Sequence, residues 1–303
     1  MASWQAHLIV PLLKLTIKRT LRARVDSETV RKVLGHRRPR ISREVSASND
    51  TIDGVEGEWS RPRGQTPTAT MLFLHGGGYT ACSPQTHRPI TNAFAKAGFA
   101  VFAPAYRLAP DHPFPAAVED SVAVYRALLA RGISPEHLVV AGDSSGGGLA
   151  LALLVSLRDA GEPLPVAAVL FSPWTDLACT GASVTANGQS CAMFDGDILR
   201  RGAAIYLAGA DPTTPLASPL YGDLHGLPAL RIHVSGAETL LSDSTRFLER
   251  ARAAGVPCGL RQWPSVPHGW QLMRGLPEAA ESLGIAADFL KGAVAARAKA
   301  TAG

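Results

Sequence analysis

The sequence predicts an α/β protein, with a mostly parallel central sheet covered by helices on both faces. Three observations carry that expectation. Short apolar runs alternate with helix-length segments from residue 68 to residue 297. Several of these runs are apolar throughout rather than alternating, as strands buried on both sides are. The chain of 303 residues is 46% hydrophobic and 18% charged, which suits one large core and excludes a disordered polypeptide.

Taken in order, residues 3–34 read as helical, with Trp4, Leu8, Leu12, Leu15 and Ile17 forming an irregular apolar stripe, and Pro39 ends the region. Residues 41–60 read as two strands joined at the turn signal Asp53-Gly54. Residues 68–74 form a buried strand, 85–97 a helix closed by Gly98, and 99–103 a strand stopped by Pro104. Helix 116–130 ends near Gly132, and strand 137–141 leads into helix 146–159. Strand 166–171 follows. Residues 178–225 then break the rhythm with scattered glycines and prolines, and carry helical stretches near 186–193 and 197–207. An insert of this kind between two strands is a candidate lid. Strand 230–234, helix 243–254, strand 258–263 and helix 278–297 complete the chain.

The formal charge is +5. Much of the excess lies early, in Lys14, Lys18, Arg19, Arg22, Arg24, Arg31, Lys32, Arg37, Arg38, Arg40 and Arg43. The preferred reading is the solvated face of an amphipathic helix. Nucleic acid is not expected as a partner, since no zinc-finger spacing or RNA-binding aromatic motif accompanies the charges. A membrane surface contacted through residues 1–24 is a minor alternative. No run of about eighteen apolar residues exists, so no membrane span is expected. The segment Leu8–Leu13 lacks a preceding basic region and has the wrong polarity for a signal peptide. Cys82, Cys179, Cys191 and Cys258 are scattered, which reads as free thiols in the reducing cytoplasm.

The chemistry centres on Gly142-Asp143-Ser144-Ser145-Gly146, a Gly-x-Ser-x-Gly turn between a strand and a helix. In that context the serine is lifted onto a sharp elbow as a nucleophile. A serine hydroxyl is weak and needs a base, and the base needs an acid to orient it. In an α/β-hydrolase fold the chain order is serine, acid, histidine. His268, in a loop after the last strand, fits the base. His233 lies within a strand, His7, His36 and His137 precede the serine, and His225 lies in the insert. Glu238, just after strand 230–234, fits the acid. Its rival is Asp243, whose plainer reading is a helix N-cap. The run His75-Gly76-Gly77-Gly78 after strand 68–74 offers backbone N–H groups with no side chain in the way. Gly76 and Gly77, with the N–H of Ser145, are the expected oxyanion donors.

His75-Gly76-Gly77-Gly78 upstream of Gly142-Asp143-Ser144-Ser145-Gly146-Gly147 resembles the bacterial hormone-sensitive-lipase-like family of esterases. Tyr106-Arg107-Leu108-Ala109-Pro110-Asp111-His112-Pro113-Phe114-Pro115-Ala116-Ala117 and Ser172-Pro173-Trp174-Thr175-Asp176-Leu177 are similar to segments of that family, and the matches run from about residue 70 to 273. The chain departs from the family at Ser145, usually alanine, and at Glu238-Thr239-Leu240, usually Asp-Pro-Leu. The resemblance implies an α/β-hydrolase core over residues 46–179 and 216–303, with a helical cap built from 1–45 and 180–215. It implies hydrolysis of short- to medium-chain acyl esters with no metal or cofactor. Asp143 and Glu119-Asp120 are then mainly structural. Tyr79, Met193, Phe194, Ile205 and Leu207 line the acyl pocket or simply pack cap against core. A homodimer paired through the strand near 258–263 is a further implication. A ligand receptor without catalysis is disfavoured by the presence of His268, and a lactonase, amidase or deacetylase using the same residues stays open.

Overall fold

The computed structural model describes residues 2–35 and 38–302. His36 and Arg37, named above, lie outside the described residues. Eight strands form one sheet among the described residues: β1 (Val45–Ile52), β2 (Val55–Pro62), β3 (Ala69–Leu74), β4 (Phe99–Pro104), β5 (Leu138–Asp143), β6 (Ala167–Phe171), β7 (Ala229–Ser235) and β8 (Cys258–Trp263). Their order is β1-β2-β4-β3-β5-β6-β7-β8. Only β1–β2 and β2–β4 are antiparallel, and every other neighbouring pair is parallel. The β1–β2 hairpin turns on Asp53 (φ 49°) and Gly54 (φ 78°), two consecutive left-handed residues, as a two-residue turn requires.

The helices are α1 (Trp4–Leu13), α2 (Arg19–Ala23), α3 (Ser27–Leu34), α4 (Arg88–Lys96), α5 (Ala116–Ala130), α6 (Ser145–Asp159), α7 (Ala182–Ala186), α8 (Gly196–Leu207), α9 (Leu241–Ala253) and α10 (Pro277–Ala302). The central strands send alternate side chains to opposite faces. Leu72, Leu74 and Val140 join a core with residues of α5, α6 and α9 such as Tyr125, Leu153 and Phe247. Met71, Phe73 and Val139 join a second core with Phe94 of α4 and Leu290 of α10. Burial on both faces explains why these strands read as continuous apolar runs.

Two expectations differ from the fold. The stretch expected near 186–193 is not helical beyond its first residue, because α7 ends at Ala186. The segment that follows is held by tertiary partners instead. Asn187 donates its Nδ2 to the carbonyls of Gly236 and Glu238 (3.1 and 2.9 Å), and the buried Lys18 ammonium donates to the carbonyls of Gly188 and Cys191 (2.5 and 2.8 Å). The region 3–34 is also not one helix. Pro11 has no N–H to donate within α1, a wider π turn spans Lys14–Lys18, and the chain leaves the helix at Arg24 before Asp26 caps α3. Its apolar stripe faces solvent: Trp4, Leu8, Leu12 and Leu15 are exposed, while Ala6, Leu13 and Leu21 are buried. The inner side packs on the insert, with Leu13 against Ala192 and Met193, and Leu21 and Val30 against Ile198.

Candidate active site

β5 and α6 meet at Ser144, which is held at φ 54°, ψ −124°. A non-glycine residue there is strained, and the surrounding packing must hold it in place. Gly146 permits the turn: a Cβ on it would lie 2.1 Å from the carbonyl oxygen of Leu74 in the neighbouring β3. Ser144 is thereby fixed at the carboxyl end of the sheet, with its N–H bonded to the carbonyl of Phe171 (2.8 Å). β7 ends at Ser235 and the following turn carries Glu238. β8 ends at Trp263 and the next loop carries His268.

These three side chains converge. Ser144 Oγ and His268 Nε2 are 2.9 Å apart, and His268 Nδ1 and Glu238 Oε2 are 2.5 Å apart. Glu238 is 1% exposed and His268 4%. A buried carboxylate needs hydrogen-bond donors. Besides His268, Glu238 has two on its other oxygen: Ser172 Oγ at 2.6 Å and the N–H of Ser235 at 2.7 Å. Phe194 lies edge-on to the His268 ring, with centroids 5.1 Å apart. Sequence reasoning missed Ser172 and Asn187 as supports of this turn. For Ser172 a signal existed: it follows β6, between β5 and β7, at the sheet end where sites form.

Asp243, the rival acid, is not a helix N-cap. It lies inside α9, and its Oδ2 accepts the N–H groups of Thr175 and Asp176 (2.8 and 2.9 Å). Burial, reinforced by nearby Asp176, pushes its carboxyl up to about 8. It makes no hydrogen bond to His268 among the described residues.

The glycine run also differs from expectation at one position. The N–H of Gly76 is committed to Asp143 Oδ1 at 2.9 Å, so it is not open to a substrate. Among the described residues the N–H groups of Gly77, Gly78 and Ser145 have no acceptor. Gly77 has φ 127°, and a Cβ on it would lie 2.2 Å from the carbonyl oxygen of Ala81, so only glycine fits. Ser145, where the family usually has alanine, uses its hydroxyl to accept the N–H of Tyr79 (3.3 Å). That bond ties the glycine loop to the elbow. Burial pushes the Asp143 carboxyl up, but His87, 3.2 Å away, and the Gly76 N–H outweigh it and hold it below the usual range.

A cavity of about 520 Å³ opens over Ser144 and His268, with Gly77, Gly78, Trp174, Met193 and Phe194 on its walls. Ile9, Leu13, Ile17 and Leu21 from the first helices close its other side. Of the five expected acyl-pocket residues, Met193 and Phe194 reach it and the other three do not. Tyr79 stacks on Tyr206 at 3.8 Å, and Leu207 and Ile205 pack into the core.

Two buried histidines bear on stability. Burial drives His75 down to about 3, with His87 adding to the effect. It drives His233 to about 3 as well, helped by Arg231 and Arg261. Both are therefore neutral in the folded chain, whereas their ordinary value is 6.5. Below that value the unfolded chain takes up protons that the folded chain refuses. The stability is present above pH 6.5 and is lost as pH falls toward 3. Each group loses about 1.4 kcal/mol per pH unit. Over the same window the Asp243 carboxyl, raised to about 8, gains what one histidine loses, so the melting temperature is expected to fall by one group's worth between about pH 6.5 and pH 4.5, before most carboxylates titrate. Calorimetry across that window checks it, and a flat profile would contradict it.

An elbow serine bonded to a histidine after the last strand, on a mostly parallel sheet of this order, defines an α/β hydrolase. Comparison with known proteins agrees. The sequence model of a family described as having the alpha/beta hydrolase fold matches residues 71–272. An acetyl-hydrolase of Streptomyces hygroscopicus is 50% identical over 244 residues, 80% of this chain and 81% of that protein. An esterase of Acinetobacter venetianus is 33% identical over 296 residues, 94% of this chain and 96% of that protein. A crystal structure of an esterase/lipase from an uncultured bacterium has a TM-score of 0.92 at 38% identity, covering 97% of this chain and 100% of that one. A crystal structure of an esterase from the bacterial hormone-sensitive lipase family has a TM-score of 0.89 at 39% identity, covering 97% and 99%. The chain belongs to the bacterial hormone-sensitive-lipase-like family of esterases within the α/β-hydrolase superfamily. It is a carboxylic ester hydrolase. Among the described residues no helix is long and apolar enough to cross a membrane.

Proposed function

We propose that the protein is a serine carboxylesterase that cleaves short- to medium-chain acyl esters by two-step acyl transfer through Ser144, His268 and Glu238. The observation that carries this reading is the unbroken line of hydrogen bonds from Ser144 Oγ through the imidazole to a buried carboxylate. His268 Nε2 takes the proton of Ser144 as its oxygen attacks the ester carbonyl, and Glu238 stabilises the imidazolium through Nδ1–H. The N–H groups of Gly77, Gly78 and Ser145 receive the oxyanion. His268 returns the proton to the leaving alcohol. Water, activated by the same imidazole, then releases the acid and restores the serine.

In this reading residues 1–45 and 180–215 form a cap over a catalytic domain of 46–179 and 216–303. The packing of α1–α3 on Met193 and Ile198 supports that division. A cavity of about 520 Å³ suits a chain of modest length, and the acetyl-hydrolase relative supports the short end. Four free cysteines accord with a cytoplasmic location, and a dimer through the edge strand β8 belongs to the same proposal.

The test is a series of p-nitrophenyl esters from acetate to palmitate, run beside a lactone and an anilide. The expected maximum of kcat/KM lies at butyrate or hexanoate. A maximum at palmitate, or faster turnover of the lactone or anilide, would overturn the substrate assignment.

A further inference from the structure

The outer face of α1 and of the π turn that continues it combines two features, an apolar stripe and basic residues. Trp4, Leu8, Leu12 and Leu15 are 68%, 64%, 58% and 67% exposed. They follow one another down one side of the helix, and among the described residues Ile41 is the only other exposed large hydrophobic side chain. Residues 2–25 also contain Lys14, Lys18, Arg19, Arg22 and Arg24 and no aspartate or glutamate. Lys18 is buried, and anchors the segment through the carbonyls of Gly188 and Cys191. Arg22 pairs with Asp195 and Arg24 with Asp26. Lys14 and Arg19 have no ion pair among the described residues. Ser3 at the start of α1 binds the Glu278 carboxylate through its N–H and its hydroxyl (2.5 and 2.9 Å). The helix is thus fixed at both ends with its apolar side turned outward.

We propose that this face docks flat on the surface of an anionic phospholipid bilayer. Trp4, Leu8 and Leu15 enter the interfacial layer, Leu12 stands at its edge where it also lines the cavity over Ser144, and Lys14 and Arg19 meet the lipid phosphates. A helix with aromatic and leucine side chains on one side and basic residues beside them has the composition of an interfacial anchor. The charges also argue against a second copy as the occupant. A two-fold pairing would bring each copy's unpaired cations toward the same cations of its mate. An anionic surface turns that repulsion into attraction. The docking does not depend on the hydrolytic reading.

The experiment is co-sedimentation of the full chain with vesicles of phosphatidylcholine alone and of phosphatidylcholine containing phosphatidylglycerol. Binding is expected to the anionic vesicles and to be about tenfold or more weaker to the neutral ones, because each cation near the surface is worth roughly fivefold. Trp4→Ser/Leu8→Ser/Leu15→Ser is expected to weaken anionic binding about tenfold or more. Lys14→Gln/Arg19→Gln is expected to weaken it by a similar factor and to flatten its salt dependence. Turnover of soluble p-nitrophenyl acetate by both variants, unchanged from the parent, reports that they fold. The proposal is overturned if the parent chain stays in the supernatant with anionic vesicles, or if folded variants bind as it does. It is also overturned if light scattering shows a dimer that the triple substitution dissociates while no vesicle binding occurs.

Discussion

Ser144→Ala is expected to lower kcat for p-nitrophenyl butyrate by about 10⁵-fold or more, while leaving the folded protein intact. Ser144 Oγ has a single hydrogen-bond partner among the described residues, the imidazole of His268. Its loss removes the nucleophile and frees Nε2, which faces the cavity and can take a water molecule instead. The backbone at φ 54° imposes the same strain on alanine as on serine, so thermal unfolding should change little. A residual rate well above the uncatalysed one is still expected, because the free N–H groups beside the site act on any bound carbonyl. A second readout separates chemistry from binding. The parent protein should gain one covalent adduct from a fluorophosphonate, seen by intact mass, and the variant none. Turnover that survives the substitution, or an adduct at another residue, would remove Ser144 from the mechanism.

The sheet was legible because its punctuation is local. Pro104, Gly132 and the Asp53-Gly54 turn stop elements for reasons carried by their own backbones, and α5 spans the residues expected of it. The elbow was legible for the same reason. What was illegible depended on partners distant in sequence. Three adjacent glycines are equivalent on paper. Which amides stay free depends on Asp143, 67 residues away, which takes that of Gly76. The segment after Ala186 has a helical pattern, yet the carbonyls of Gly188 and Cys191 go to the Lys18 ammonium, and the Asn187 side chain ties the segment to the Glu238 turn. Periodicity gave α1 an apolar side and could not say which way it points. Here the small Ala6 faces the Trp263–Trp270 cluster, which leaves room for close packing, and the large residues are left outside. Asp243 looked like a cap because aspartates before helices usually are. Its real partners are two amides of the Ser-Pro-Trp-Thr-Asp segment, on a different strand's loop.

The assignment of the acid makes the second large effect, and three substitutions decide it. Glu238→Gln is expected to lower kcat by about 10³- to 10⁴-fold. The amide oxygen can still accept from Ser172 Oγ and the Ser235 N–H, which hold that side of the group. The NH₂ is then turned toward His268 Nδ1. A donor there forces Nδ1 to be the unprotonated nitrogen, leaving a hydrogen on Nε2 facing Ser144, where a base is required. The result is the wrong tautomer in unchanged geometry. Glu238→Asp keeps the charge but withdraws it by one carbon–carbon bond, about 1.5 Å. It cannot hold Ser172, Ser235 and His268 at once, and a displacement of that size costs roughly a hundredfold. Asp243→Asn should do neither. Its oxygen still accepts the Thr175 and Asp176 amides, and burial already favours the uncharged acid there. Its kcat should stay within a few-fold of the parent. The expected order of kcat is therefore parent and Asp243→Asn together, then Glu238→Asp, then Glu238→Gln. If instead folded Asp243→Asn falls furthest, the carboxylate bonded to His268 in this structure is not the one that orients it during turnover.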